Sequence, residues 1–277
     1  MKKYVFLALA LMLLLTMAGC GAEANVQPEP DETESQPEAA TTDALPTGNA
    51  GFDTPEAAIR AYLEGLRDSD LDRMISAFAV ERSAENLDFE AYVEWLQIYT
   101  PEMGMPNVNE LVTAMNVETR RAHVVDMITQ QYFLLCFPER DMAETQTVED
   151  ASTFTSQFTE ALNAPDLQTL ELLGFIPPEL LDVDERYASE GNQEHIALLV
   201  EIAGADQLES RVAVFELNGN KHLLFVETIN YGGEWFVGQF GGGLSRALGF
   251  PPFMQGIAPS EFVDEFGIDL QAVMISD

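Results

Sequence analysis

The chain has 277 residues, of which 47 are Asp or Glu and 13 are Lys or Arg, for a formal net charge of −34. That balance repels phosphate backbones and anionic headgroups, which are held through Lys/Arg patches, so nucleic acid is excluded as a partner. Apolar residues make up 47% of the chain, ample for a core, and the spread of the acids reads as a solvated surface rather than a cation-docking patch.

At the N-terminus, Lys2 and Lys3 precede an apolar run from Tyr4 to Leu15, and Thr16-Met17-Ala18-Gly19-Cys20 follows. The run is shorter than the roughly 20 residues of a spanning helix and has the length of a secretory signal core. The residues before Cys20 resemble the lipobox of bacterial lipoproteins, with Ala18 and Gly19 in pattern and Met17 where the pattern has Leu. The resemblance implies a signal peptide over residues 1–19 and a diacylglyceryl group on the Cys20 sulfur. The expected location is then extracytoplasmic, lipid-anchored to a bacterial membrane. The other reading is an ordinary cleaved signal that leaves Cys20 a passive thiol.

Residues 20–50 read as the lipidated cysteine and a disordered acidic linker. Gln27-Pro28-Glu29-Pro30-Asp31-Glu32-Thr33-Glu34 has neither aromatic nor basic residues and buries too little surface to offset its ordering entropy. A coil of that length spans roughly 30 Å, enough to lift a domain off a membrane.

One globular domain is expected over residues 51–277. Thr54-Pro55-Glu56 predicts an N-cap, a proline at the first helical position and an acid in the first turn. Ala58, Ala61, Tyr62 and Leu66 share the face of that helix, which stops near Asp68. Ser69 and Asp72 have capping-box spacing for a second helix with Leu71, Met74, Ile75 and Phe78 as its stripe. A third is predicted over about 88–99. The stretch 107–182 reads as mostly helical, with stripes at Ala122, Val125, Ile128, Tyr132 and Leu135 and at Phe154, Phe158 and Leu162. The short apolar run at Tyr132–Phe137 also fits a buried strand.

After residue 192 the period changes to two. His195–Ile202, Arg211–Leu217, Lys221–Ile229 and Glu234–Phe240 read as four strands, with turns at Asn218-Gly219-Asn220 and Asn230-Tyr231-Gly232-Gly233. The tail from Leu244 reads as irregular, with a short helix capped by Ser260. Helices followed by a meander predict an α+β fold. Thr54-Pro55-Glu56-Ala57-Ala58, Ala61-Tyr62-Leu63-Glu64-Gly65-Leu66 and Asp70-Leu71, with the closing meander, resemble NTF2-like domains. The resemblance implies N-terminal helices packed on a C-terminal antiparallel meander, a cone with a helical insertion. That family holds isomerases, dehydratases and non-catalytic binding domains, so it does not choose a function.

Candidate chemistry is sparse. Asp68-x-Asp70-x-Asp72 starts like a calcium loop, but Arg73 stands where glycine is needed and Ala79 where a bidentate acid is needed, so helix capping is preferred. The histidines are His123, His195 and His222, without paired-ligand spacing, so no metal site is expected. His123 and Asp126 lie three apart on a helix, a spacing that suits a surface contact better than a base and its orienting acid. His195, His222 and Glu227 are the acid/base candidates if the strands turn them into a cone. An edge-facing, solvated Glu227 is the preferred reading. Cys136 reads as a buried small hydrophobe, Trp95, Trp235 and Phe236 as core aromatics, and Gly238-x-x-Gly241-Gly242-Gly243 as a bend leaving the sheet. No cofactor is expected. The expected function is a non-catalytic binding or interaction domain whose partners are the membrane, through Cys20, and an extracytoplasmic protein or small ligand. The alternative is a small-molecule isomerase- or dehydratase-like enzyme using the cone as its active site.

Overall fold

The computed structural model describes residues 50–99, 104–137, 147–176, 178, 187–247 and 256–259. The expected signal peptide, Cys20, the expected linker to residue 49 and the expected helix cap at Ser260 lie outside them. All described residues belong to one compact unit, Pro46–Asp277.

Helix α1 (Pro55–Arg67) starts as its sequence dictates. The Thr54 hydroxyl accepts from the Ala57 amide at 3.1 Å, and proline occupies the first turn. Its buried face carries Ala58, Ile59, Tyr62, Leu63 and Leu66. Helix α2 (Leu71–Ser76) is capped by Asp70, which accepts from Arg73 N at 3.0 Å. The predicted cap, Ser69, instead sits in the left-handed region at φ 56°. Helices α3 (Val80–Glu85) and α4 (Phe89–Leu96) follow, then the long α5 (Glu110–Cys136) and α6 (Ala151–Leu162). Tyr132–Cys136 therefore belongs to a helix and not to a strand. The buried stripe of α5 is Val124, Met127, Ile128, Gln131 and Leu134. The expected stripe through Val125, Tyr132 and Leu135 runs along its half-buried flank.

The sheet is an antiparallel meander of β1 (Glu171–Ile176), β2 (Gln207–Leu217), β3 (Asn220–Tyr231) and β4 (Glu234–Phe240), in that spatial order. A three-residue β5 (Ile257–Pro259) pairs with the start of β3. Asn218 and Gly219 (φ 53° and 79°) and Gly232 and Gly233 (φ 65° and 88°) close two-residue turns of the kind whose twist matches paired strands. Phe52 exchanges two backbone hydrogen bonds with Trp235, and Val237 N donates to Ala77 O, which covers the outer edge of β4.

Two expectations are corrected here. Residues 195–202, read as the first strand, lie within helix α7 (Glu190–Ala203). The alternation of Ile196, Leu198, Val200 and Ile202 coexists with a helical spacing of Ile196, Leu199, Ile202 and Ala203, and the ends decide between them. Ser189 accepts from Asn192 N at 3.3 Å, and Gly204 terminates the helix at φ 58°. The first strand is instead β1, inside the stretch read as helical. Six residues are too few for periodicity to separate strand from helix, and pairing with β2 settles it. The α+β class stands, but the helices-then-meander order does not hold strictly, because α7 lies between β1 and β2.

The core lies between α1 and the sheet. Tyr62, Phe78 and Phe240 form a ring cluster with centroids 4.9–5.9 Å apart. The Tyr62 hydroxyl donates to Gln131 Oε1 at 2.5 Å, which fastens α5 to this core. Helix α8 (Gly242–Ala247) leaves β4 and packs on β3.

Candidate functional site

A half-open cavity of about 680 Å³ lies among α3, α4, α5, α7 and one end of β2–β4. Helix α5 contributes Asn116, Thr119, Arg120, His123, Val124 and Met127, a stripe at helical spacing that is polar toward its N-terminal half and apolar toward the core. Tyr92 and Trp95 come from α4, Leu199 and Ile202 from α7, and Glu227, Ile229 and Tyr231 from β3.

Tethers around the rim set this geometry. Asp88 N donates to Ile202 O at 2.8 Å, which joins α4 to the end of α7. A Cβ on Gly204 would sit 2.1 Å from Asn86 O, so glycine is needed for the α3–α4 link to approach α7. Asn116 is buried and spent: its amide donates to Met105 O at 2.6 Å and Asn107 Oδ1 at 2.9 Å and accepts from Met105 N at 3.1 Å.

The acid/base candidates are not brought together. Glu227 lines the cavity, whereas His195 and His222 are not part of its wall. His222 and Glu227 are five residues apart on a continuous strand, which sends their side chains to opposite faces. His222 stacks on Phe215 with ring centroids 5.2 Å apart. His195 is in ring contact with Trp95 at a centroid distance of 5.9 Å. Trp95, read as a core aromatic, is 42% exposed and faces the cavity, whereas Phe236 is fully buried as expected.

Glu227 is 3% exposed, not solvated at an edge. Its Oε1 accepts from Gly243 N at 2.8 Å and its Oε2 from the Gln239 amide. A Cβ on Gly242 would lie 2.0 Å from Oε1, so the glycine run lets the chain fold over this carboxylate. The run does bend away from β4, and the second reason for its glycines is that close approach.

His123, expected to make a surface contact, is exposed and lines the cavity together with Arg120, one helical turn away. Packing around the imidazole lowers the His123 pKa, the Arg120 guanidinium lowers it further, and Asp126 opposes both. The imidazole is therefore neutral at pH 7. Asp126 accepts from Gln130 at 2.7 Å and does not orient the ring as a base partner would. Burial pushes the Tyr231 phenol up to about 12, against the pull of Arg120, and its hydroxyl donates to Ala203 O at 3.2 Å. Among the described residues Arg120 makes no ion pair or hydrogen bond and is the wall's lone cation, as Glu227 is its lone carboxylate. Arg120 was missed because its meaning depends on which partners it lacks. The available signal was an arginine at helical spacing with Asn116 and His123.

Among the described residues no cluster of His, Cys, Asp or Glu could hold a metal ion. Asp68 pairs with Arg67 and Arg73, Asp70 caps α2 and Asp72 pairs with Arg121, so the three acids of the calcium-like stretch are engaged. Cys136 is half-buried, and burial raises its thiol pKa, the opposite of nucleophile activation.

The fold and the site define a class: an α+β protein whose helices and antiparallel meander enclose a half-open, largely apolar cavity with one uncompensated cation. No protein-family model and no curated protein matches the chain. It is similar to the solved structure of a cystatin-like protein from Ruminococcus gnavus, at 15% identity over 74% of this chain and 44% of that one, with a TM-score of 0.42. The chain thus spans less than half the length of that protein. Among the described residues no helix is long and apolar enough to cross a membrane.

Proposed function

We propose that this chain is a lipid-anchored extracytoplasmic binding protein with an NTF2-like cone, held to a bacterial membrane through Cys20 and binding a small ligand without transforming it. The cavity carries this reading. Its volume of about 680 Å³ falls in the range of small-molecule sites, and its walls combine apolar side chains with a few polar ones. Among the described residues the acid/base candidates are not paired, which supports binding over catalysis: both Glu227 oxygens are occupied, and His195 and His222 lie elsewhere.

Two substitutions test the two halves of the proposal. Cys20→Ser in the full chain moves the protein from the membrane to the soluble fraction; retention on the membrane overturns the anchor. Thr119→Trp places an indole in the cavity from an exposed helical position and abolishes uptake of phenyl-naphthylamine, a neutral fluorophore with an apolar body. Undiminished uptake overturns the cavity as the binding site. Turnover of a bound compound overturns the non-catalytic reading.

A further inference from the structure

We infer that the ligand is a small organic anion, an oxyanion head on an apolar ring-sized body, with the head received by Arg120. The inference rests on the cavity being a ligand site and names the chemistry that site selects.

The chain carries 47 acids against 13 basic residues, so an arginine without a carboxylate partner is the exception to be explained. Its neighbour Arg121, one residue along the same helix, pairs with Asp72 at 3.0 Å on the outer face. Arg120 turns into the cavity, is partly buried and has no such partner among the described residues. Two described acids of this region bond elsewhere, Glu227 to Gly243 N and Gln239, Asp126 to Gln130. A guanidinium removed from bulk water without a counter-charge is unfavourable, and its fork of N–H donors fits the two oxygens of a carboxylate or sulfonate.

The rest of the wall sets the orientation. His123 and Tyr231 flank Arg120 and carry no negative charge at pH 7. Glu227 repels an anion from the sheet end, which leaves the Arg120 side for the head. Trp95, Leu199 and Ile202 offer the apolar surface for the body. The strongly negative net charge opposes anion capture at long range, so selectivity has to come from this one partly buried contact.

The test uses two probes with the same fused rings and anilino group: anilinonaphthalene sulfonate, which carries the anion, and phenyl-naphthylamine, which does not. The full chain is titrated with each by fluorescence, with Arg120→Gln and Arg121→Gln in parallel. Arg120→Gln weakens the sulfonate by about tenfold to a hundredfold, the span of a charge-assisted hydrogen bond, and leaves the neutral probe unchanged. Arg121→Gln removes the same charge from the same turn and leaves both probes within about twofold, because surface ion pairs contribute little. Equal sulfonate affinity in wild type and Arg120→Gln, with the neutral probe still bound, overturns the anion assignment alone. Parallel loss of both probes in Arg120→Gln assigns Arg120 to folding and also overturns it. Failure of wild type to bind either probe overturns the cavity reading itself.

Discussion

Gly242→Ala is the sharpest probe of how the sheet end of the cavity is held. Gly242 has φ 80°, a backbone region that costs an L-residue about 1–2 kcal/mol. The new methyl would also lie 2.0 Å from Glu227 Oε1 and 2.2 Å from its carboxyl carbon. The carboxylate must then leave Gly243 N or the Gln239 amide, and a hydrogen bond to a charged group contributes about 1.5–3 kcal/mol. Together these predict a loss of about 3–4 kcal/mol, and at about 2–4 °C per kcal/mol for a unit of this size the Tm falls by about 10 °C. Gly232→Ala supplies the control. Gly232 has φ 65° but nothing within 4 Å of its would-be Cβ, so it costs about 1–2 kcal/mol from the backbone alone. Chemical denaturation of both variants measures the difference, and adding Glu227→Ala to Gly242→Ala should cost less than Glu227→Ala in wild type. Equal losses at Gly242 and Gly232, or strict additivity with Glu227→Ala, would refute the steric account.

Tyr62→Phe removes the buried hydroxyl that joins α1 to Gln131 of α5 and should destabilise the chain by about 1–2 kcal/mol in the same assay; a neutral result means the helices are joined by apolar packing alone. His123 should titrate below its ordinary value of 6.5 in an NMR pH series, and Arg120→Gln should raise its midpoint because one of the two causes of the depression is gone. Since the folded state favours neutral His123, its contribution to stability is complete above pH 6.5 and is lost as pH falls through the lower folded midpoint. His123→Gln should flatten that part of the Tm-versus-pH profile, and an unchanged slope would show that other groups set it.

The helix starts and hairpin turns could be read from the sequence because their causes are local. A threonine before Pro55 and an Asn218-Gly219 pair act on the backbone within three or four residues, and the structure places both where the sequence implied. The same holds for β2, β3 and β4, whose alternation is long enough to define a face. The two errors fall where local signals tie. Residues 195–202 alternate and also repeat at helical spacing. Residues 171–176 are too short to show a period, and only the unpaired edge of β2 makes them a strand. The class α+β survived because the two exchanged assignments, a helix read as a strand and a strand read as helical, leave both helices and an antiparallel meander in the chain.

The site was far less legible. Its wall draws on helices and strands from Phe78 to Gln239, and no pattern within one element announces that those side chains meet. Glu227 looked like a solvated acid because the donors that make its burial tolerable, Gly243 N and Gln239, are supplied by a chain reversal that the glycine run permits. Arg120 did not stand out in the sequence, because what sets it apart is that it lines the cavity without an ion pair among the described residues. Sequence by itself determined the Thr54 cap, the tight turns and the three long strands β2–β4, whose causes act over a few residues. Burial, the pairing of charges and the cavity were decided only by the tertiary structure, because each depends on which distant groups arrive at the same point.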